Sequence, residues 1–505
     1  MKKVIASVLS VAMVAAVAAG CTTQPTDAPV STEGSGSEVV DTAATDATEA
    51  SAVETVGEET TIGTGPEVIN LWTFTNEVIG MVNYYVANVN PEFGTKYTVK
   101  CTYINGAENY QPAVDAALVA GGDSAPDLYC AEADYILKYT QGDMSRFAST
   151  YKALGIDVDA KIADAQIAQY TVDIGSRDGE VVALGYQATG GAMIYRASIA
   201  KDVFGSDDAA TVEKEVGGGS GKYDTFWKAA AKLKEKGYPI VSGDGDVWHM
   251  VENSSSSGWV VDGKLNISPE RQAFFDISKQ LVDNGWCNET TDWQPSWFAD
   301  MKGLPQEGKT NKSAFCFFGP AWLINYSMKD NCGGKEAPAD GNYAGNTFGD
   351  WRVCKAPAGF FWGGTWVLAS KTAAENADKK AGVAQLINWI TLDASDKGLQ
   401  YLWANGLFAP NEDGTPGTKD CVASGKVMAT ANGEVAFLGG QNMFPAFIAA
   451  NANATGKNMT QYDENINALF REQVNQYAHG QKSMDDAIKD FRARVADKIG
   501  EDGSL

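Results

Sequence analysis

A chain of 505 residues is longer than one hydrophobic core usually supports, so two lobes are expected, each with a buried interior. A hydrophobic share of 44% and a charged share of 21% are those of a soluble globular protein. The formal net charge of −24 argues against nucleic acid as a partner, because nothing offsets phosphate repulsion.

Residues 1–20 read as an export signal: Lys2 and Lys3, the apolar run Val4 to Ala19, then small residues. The ending Ala18-Ala19-Gly20-Cys21 is similar to the lipobox of bacterial lipoproteins, with Ala18 where leucine is usual. That resemblance implies a diacylated Cys21 and a protein exported and lipid-anchored to the outer face of the bacterial cytoplasmic membrane. Two or more acyl chains would hold it there, where one would not. Residues 21–65 read as a disordered acidic tether, since from Thr22 to Gly65 there is no aromatic, Lys or Arg. Of the −24, this tether carries −9 and the signal +2, leaving −17 on the body. No later run of about 18 apolar residues could span a bilayer.

Seven cysteines follow Cys21, an odd number that leaves at least one unpaired. No C-x-x-C spacing occurs, so zinc and redox motifs are unsupported, and neither a metal nor another cofactor is expected. Cys101 and Cys130 lie in strand-like runs and read as small core residues. A disulfide among Cys316, Cys332 and Cys354 is left open.

In chain order, Val68 to Phe74 predicts a first strand whose end carries Trp72, Asn76 and Glu77, and Tyr97 to Ile104 a second. Tyr110, Val114, Ala117, Leu118 and Gly121 share one face of a helix that Gly121-Gly122 ends. Ala125-Pro126-Asp127 starts a third strand, ending at Glu132 and Asp134. This alternation predicts an α/β fold with a parallel, doubly wound sheet, whose ligands bind beyond the carboxyl ends of the strands. Trp72, Glu77, Asn105, Glu108, Glu132 and Asp134 then share one rim. Val181 to Leu184 and Ala192 to Tyr195 are strand-length runs around the uncharged break Gly185 to Gly191. The break is either a hairpin turn or a hinge between two sheets, with Tyr186 and Gln187 facing the gap.

Beyond it, Phe204 to Tyr223 reads as a polar surface loop, and Asp224 as the cap of a helix with Phe226, Ala230 and Leu233 inward. Pro239 to Ser242 predicts a strand, and Trp248 and Trp259 fall in a segment rich in Ser, Gly and Asp. A helix from about Pro269 to Asn284 leads to Trp286, Trp293 and Trp297. Ser313 to Phe318 predicts another strand, broken at Gly319-Pro320-Ala321-Trp322. Gly359 to Ser370, with Trp362, Gly364 and Trp366, repeats the earlier grammar: an uncharged Gly-Gly break feeding an apolar strand. Val383, Leu386, Ile387 and Ile390 form a helical stripe, and Gly406 to Pro410 is a third uncharged break. Ser483 with Asp486 caps a last helix ending at Gly500.

Three breaks favour lobes that the chain enters more than once over a tandem pair. Together with Cys21 they make the chain resemble the family 1 extracellular solute-binding proteins of ABC importers, the group that contains maltose-binding protein. The resemblance runs from about Glu67 to the last helix. It is carried by Ala125-Pro126-Asp127, by Gly185-Tyr186 followed by Met193-Ile194-Tyr195-Arg196, by Gly319-Pro320-Ala321-Trp322, by Gly363-Gly364 ahead of a strand, and by the tail around Gly480, Ser483 and Ala487. Gly185 replaces the usual proline, and Arg196 the usual asparagine.

The resemblance implies a two-lobed periplasmic-binding-protein fold of type II with three interlobe crossings. One lobe would hold 66–186 plus 365–406, the other 187–364 plus 407–505. It also implies a monomer that binds a mono- or oligosaccharide and delivers it to ABC permease subunits, with no catalysis.

A neutral sugar has apolar C–H faces that flat rings cover, and hydroxyls that carboxylates and amides bind. The ligand set expected on that chemistry is Trp72, Asn76, Glu77, Glu108, Glu132, Asp134, Tyr186, Gln187, Trp248, Trp297, Trp322, Trp362, Gly364 and Trp366. The resemblance places Trp322 and Trp362 at the cleft, whereas Trp389 and Trp403, on helical stretches, read as core. Two alternatives stand beside this reading. A peptide, polyamine or other cation would suit the acidic body, with tryptophan acting through cation–π contact. A glycosidase would need two carboxylates about 5–9 Å apart, and Glu132 with Asp134 lacks any accompanying catalytic motif.

Overall fold

The computed structural model describes residues 57–305, 312–412 and 414–499. The export signal, Cys21, the tether as far as residue 56, and Gly500 lie outside the described residues. Among the described residues nine strands build the two larger sheets: β1 (Glu58–Gly63), β2 (Glu67–Thr73), β3 (Tyr97–Tyr103), β4 (Leu128–Glu132), β5 (Ala183–Gly185), β6 (Ala192–Arg196), β7 (Cys316–Gly319), β8 (Trp351–Cys354) and β9 (Thr365–Ala369).

The first lobe is built on a six-stranded sheet in the order β1-β3-β2-β4-β9-β5. Its centre, β3-β2-β4, is parallel as expected, but β1, β9 and β5 pair antiparallel with their neighbours, so the sheet is mixed. β1 corrects the tether boundary: Glu58 to Gly63 is strand, in full register with Thr98 to Tyr103. Pairing with a ready-made edge supplies the backbone hydrogen bonds that the segment's composition alone would not predict.

β2 is buried on both faces, at Ile69, Asn70, Leu71 and Thr73. Covered parallel strands behave this way. The buried Asn70 amide donates to the carbonyls of Asp123 and Ala125, while its backbone N–H donates to Asp127, which Lys379 neutralises at 2.9 Å. The Ala125-Pro126-Asp127 motif therefore locks the entry to β4.

The second lobe is centred on β6, every residue of which is buried, with β7 and β8 antiparallel on its two sides. Arg196 closes β6 in a buried pair with Asp350 at 2.6 Å, with its guanidinium over Trp351. The helices Asp244–Glu252, Pro269–Asp283, Asp463–Ala478 and Met484–Ile499 cover this sheet. The last begins where expected, with Ser483 and Asp486 bonded reciprocally. Phe204 to Tyr223 is not all loop: Ala209–Val216 is helical, because Val212 and Val216, four apart, are both fully buried.

β5 and β6 belong to different sheets, so Gly185 to Gly191 is a crossing and not a hairpin. The second crossing, Phe360 to Gly364, runs antiparallel beside it: Gly190 bridges Phe361, Gly191 N–H donates to Phe360, and Trp362 N–H to Thr189. Gly191 has no room for a side chain, since a Cβ there would lie 1.9 Å from the Phe360 ring.

The third crossing is not at Gly406 to Pro410. That turn stays on the first lobe, with Phe408 against Tyr84 and Trp403. Residues 421–430 also remain there, through Ala168 N–H to Ala423, Ala423 N–H to Tyr186, and the Ile167–Ser424 bridge. The chain passes over only beyond helix Gly425–Thr430, before Phe437 accepts Gly349 N–H and Gln441 pairs with Val353. An uncharged turn is a weak marker of a crossing, because packing under Tyr84 satisfies it equally well.

All seven cysteines among the described residues are free and buried, which settles the open disulfide as unformed. No described helix is long and apolar enough to cross a membrane.

Candidate functional site

Where β4, the second crossing and the segment after β7 converge, three half-buried tryptophans meet. Trp322 follows the Gly-Pro break after β7 and donates from Nε1 to the Trp362 carbonyl at 3.0 Å. Its ring meets Trp362 edge-on, with centroids 4.8 Å apart at 61°. Trp293 lies nearly parallel to Trp322, at 6.0 Å and 10°, and tilted against Trp362 at 5.7 Å. Trp293 holds a left-handed backbone, φ 68. A bulky aromatic occupies that region rarely, and such strain concentrates at functional sites.

The first lobe faces this cluster with carboxylates. Glu132 Oε1 and Trp322 Nε1 both lie within 3.4 Å of the point where a Cβ on Gly363 would stand. Glu132 Oε2 accepts the Asp134 N–H at 2.7 Å. Burial pushes the Glu132 carboxyl up to about 7, opposed by the N–H groups of Asp134 and Ala133 and reinforced by Glu464 and Glu252. Asp134 stands well above the ordinary carboxylate range, first because Glu132 is beside it and then through burial. Its side chain is nevertheless wetted, the situation of a group lining a recess between walls of protein.

Under the tryptophans sits His249, on helix Asp244–Glu252, with its ring 3.8 Å from that of Trp362 at 24°. Nε2 is 3.6 Å from Asp292 and Nδ1 3.8 Å from Glu252. Burial alone would lower its pKa; the two carboxylates outweigh that and push it up to about 9.

A second polar group lies beside the first crossing. Tyr186 is fully buried against Trp403, 5.5 Å away at 24°, and its hydroxyl donates to Glu77 at 2.5 Å. Gln187 donates to Asp420 at 3.4 Å, and Asn325 of the second lobe donates to the Lys419 carbonyl. Burial lifts Glu77 and Asp420 each to about 7; the Tyr186 hydroxyl opposes it at Glu77, and the Cys421 N–H and then Lys329 oppose it at Asp420.

The expected ligand set thus divides. Glu132, Asp134, Trp322 and Trp362 come together, and Glu77, Tyr186 and Gln187 form the neighbouring group. Gly364 is a backbone joint: its φ of 121 excludes ordinary side chains, and its carbonyl accepts Ala133 N–H. Trp72 is half-buried against the first-lobe core. Asn76 and Glu108 are exposed at the starts of their helices.

Trp248, Trp297 and Trp366 are corrected to core. Trp248 is wedged between Phe274 and Phe470, Trp297 against Phe317, and Trp366 bonds the Thr171 carbonyl. Each is 1–2% exposed, because it lies on a helix or strand face turned inward. Sequence reasoning missed Trp293, His249, Asp292 and Asp420. The run Asp292-Trp293, a carboxylate beside an indole in a turn-rich stretch, was the available signal. A recess of about 620 Å³ elsewhere on the second lobe, bordered by Tyr223, Ile277 and Pro357, contains none of the tryptophans. Among the described residues no group of three or more His, Cys, Asp or Glu is arranged to hold a metal.

Two sheets joined by paired straps, with aromatic and acidic residues at the junction, define a two-lobed α/β fold. No protein-family model matches the chain, and no curated protein does. Solved structures do. An extracellular solute-binding protein of family 1 is 16% identical, with a TM-score of 0.63 over 86% of this chain and 99% of its own. The sugar-binding protein MalE of Xanthomonas citri is 14% identical, with a TM-score of 0.59 over 86% and 98%. The galacto-N-biose-/lacto-N-biose I-binding protein of an ABC transporter from Bifidobacterium longum, solved with lacto-N-biose, is 17% identical, with a TM-score of 0.58 over 87% and 98%. The chain has the fold of these proteins.

Proposed function

We propose that the protein is the solute-binding component of an ABC importer, taking a mono- or oligosaccharide between its lobes and delivering it to a membrane permease. The observation that carries this reading is the group of three half-buried indoles, Trp293, Trp322 and Trp362, opposite Glu132 and Asp134. Rings at differing tilts cover the C–H faces of sugar units, and the carboxyl oxygens accept hydrogen bonds from their hydroxyls. Ligand touching both lobes favours the closed arrangement by its differential affinity. Export and anchoring through a lipidated Cys21, and action as a monomer with no hydrolytic step, belong to the same proposal.

A cationic solute is the second reading. It is favoured by the acidic surroundings of the cleft: Glu252 lies close enough to raise the pKa values of Glu132, Asp134 and Glu464, and Glu464 those of Glu132 and Asp134. A thermal-shift screen of mono- and oligosaccharides against polyamines and basic peptides separates the two. Ligand at a hundred times Kd adds about 2.7 kcal/mol, a readable rise. Rises confined to cations would overturn the saccharide assignment.

A further inference from the structure

His249 plays no part in the capture described above, yet it touches one of the three indoles, Trp362, and faces Asp292, the residue beside another. Its ring lies flat against Trp362 and, on a longer spacing of 6.4 Å and 15°, near-parallel to Phe360 of the same crossing. Asp292, which faces Nε2, is the residue next to Trp293 and is itself 4.0 Å from Arg471. The neighbouring Asn253 side chain fixes the Phe361 carbonyl at 2.8 Å. One helix end therefore holds the strap that carries Trp362 and, through Asp292, the turn that carries Trp293.

We propose that His249 is a positioning residue for Trp362: braced by Asp292 and Glu252, its ring lies flat against the indole and fixes which face the cleft receives. The functional consequence rests on the saccharide reading above, whereas the placement of the ring does not.

The separations of 3.6 and 3.8 Å are those of ion pairs and not of short hydrogen bonds. With the imidazole protonated, charge is what holds the ring between the two carboxylates. A cation against an indole face adds attraction to the packing. The groups that face this charge are Asp292 and Glu252 directly; Asp246 on the same helix, which burial and Asp292 push up to about 8; and Arg471 beyond Asp292. Glu132, Asp134 and Glu464 border Glu252 from the far side. Ionisation of Asp246 and Glu132 near neutrality adds negative charge around His249 and holds its proton more firmly. Release of the proton then frees Trp362.

The chain has two histidines, so the Hε1 proton resonance of His249 is identified in the full-length protein by its survival in His479→Gln. It is expected upfield, under the Trp362 ring current, and to titrate near 9 where an ordinary imidazole titrates at 6.5. Trp362→Leu should abolish the upfield displacement. In protein labelled with 5-fluorotryptophan, the Trp362 fluorine signal, identified by its loss in Trp362→Leu, should be single and sharp at pH 7. It should broaden or split above pH 9, and at pH 7 in His249→Gln and Asp292→Asn. A His249 proton at its ordinary position titrating near 6.5, or a Trp362 signal unmoved by pH, overturns the proposal without any variant at His249. A saccharide screen without hits alongside the expected spectra would remove the cleft reading and leave the positioning role standing.

Discussion

Asp420→Asn isolates the cost of a charge held between the lobes. Asp420 is 1% exposed, and its carboxyl is lifted from 3.8 to about 7, chiefly by burial. At about 1.4 kcal/mol per unit, keeping it ionised above neutrality costs at most about 4 kcal/mol. That cost is already net of the attraction of Lys329 and of the contact with Gln187, which oppose burial at Asp420. Asparagine has the same shape and no charge, so the gain at pH 8 is at most about 4 kcal/mol.

The sign follows from linkage. With its pKa raised in the folded state, Asp420 makes the wild type lose stability as pH climbs from about 4 to about 7, and costs its full amount above that. The variant lacks this decline. Scanning fluorimetry should show the two proteins melting together near pH 4 and the variant ahead by a few degrees at pH 8. A variant that melts below wild type at pH 8, by the same margin at every pH, would refute the reasoning and make Asp420 a net-stabilising partner of Lys329.

Trp322→Ala should weaken saccharide binding about tenfold or more in calorimetry and barely move melting, whereas Trp248→Ala, emptying the space between Phe274 and Phe470, should cost about 3–5 kcal/mol in denaturant unfolding. The reverse pattern would exchange their roles. Gly363→Ala places a Cβ 3.3 Å from Glu132 and 3.4 Å from Trp322 at a φ of 69. It should change affinity for a ligand found in the screen, by shifting the balance of open and closed forms, with little change in secondary structure by circular dichroism. Ligand binding that buries Glu77 and Glu132 as they are buried here, where burial raises each to about 7, should take up protons between pH 5 and 7 if they stand nearer 4.5 in the free, hydrated cleft. Calorimetry in buffers of different ionisation enthalpy reads this directly, and proton release would contradict it.

The strands and the first two crossings were legible because β2, β4, β6 and β9 are short apolar runs, β6 and β9 each directly after a glycine and β4 after Pro126-Asp127, and the Gly-Gly breaks allow backbones to pass without Cβ atoms. The edge strand β1 was not legible, since its hydrogen bonds come from β3 and not from its own polar sequence. The third crossing was misplaced because an uncharged turn packs as readily on one lobe as it passes to the next. At the site, Trp322 and Trp362 were picked out by the family resemblance that the Gly-Pro and Gly-Gly breaks beside them help to carry. Trp248, Trp297 and Trp366 could not be separated from them by composition, as only the inward face of a helix or strand removes an indole from the cleft. His249 carried no motif; its neighbours Asp292 and Trp362 lie 43 and 113 positions away in sequence.

The most direct measurement is small-angle X-ray scattering of the protein, free and saturated with the saccharide that gives the largest thermal shift, in wild type and Trp322→Ala. The account predicts a smaller radius of gyration with saccharide in the wild type and, at the same concentration, little or no compaction in the variant. Compaction by polyamine and by no saccharide, or saccharide binding that leaves the radius unchanged, would contradict it.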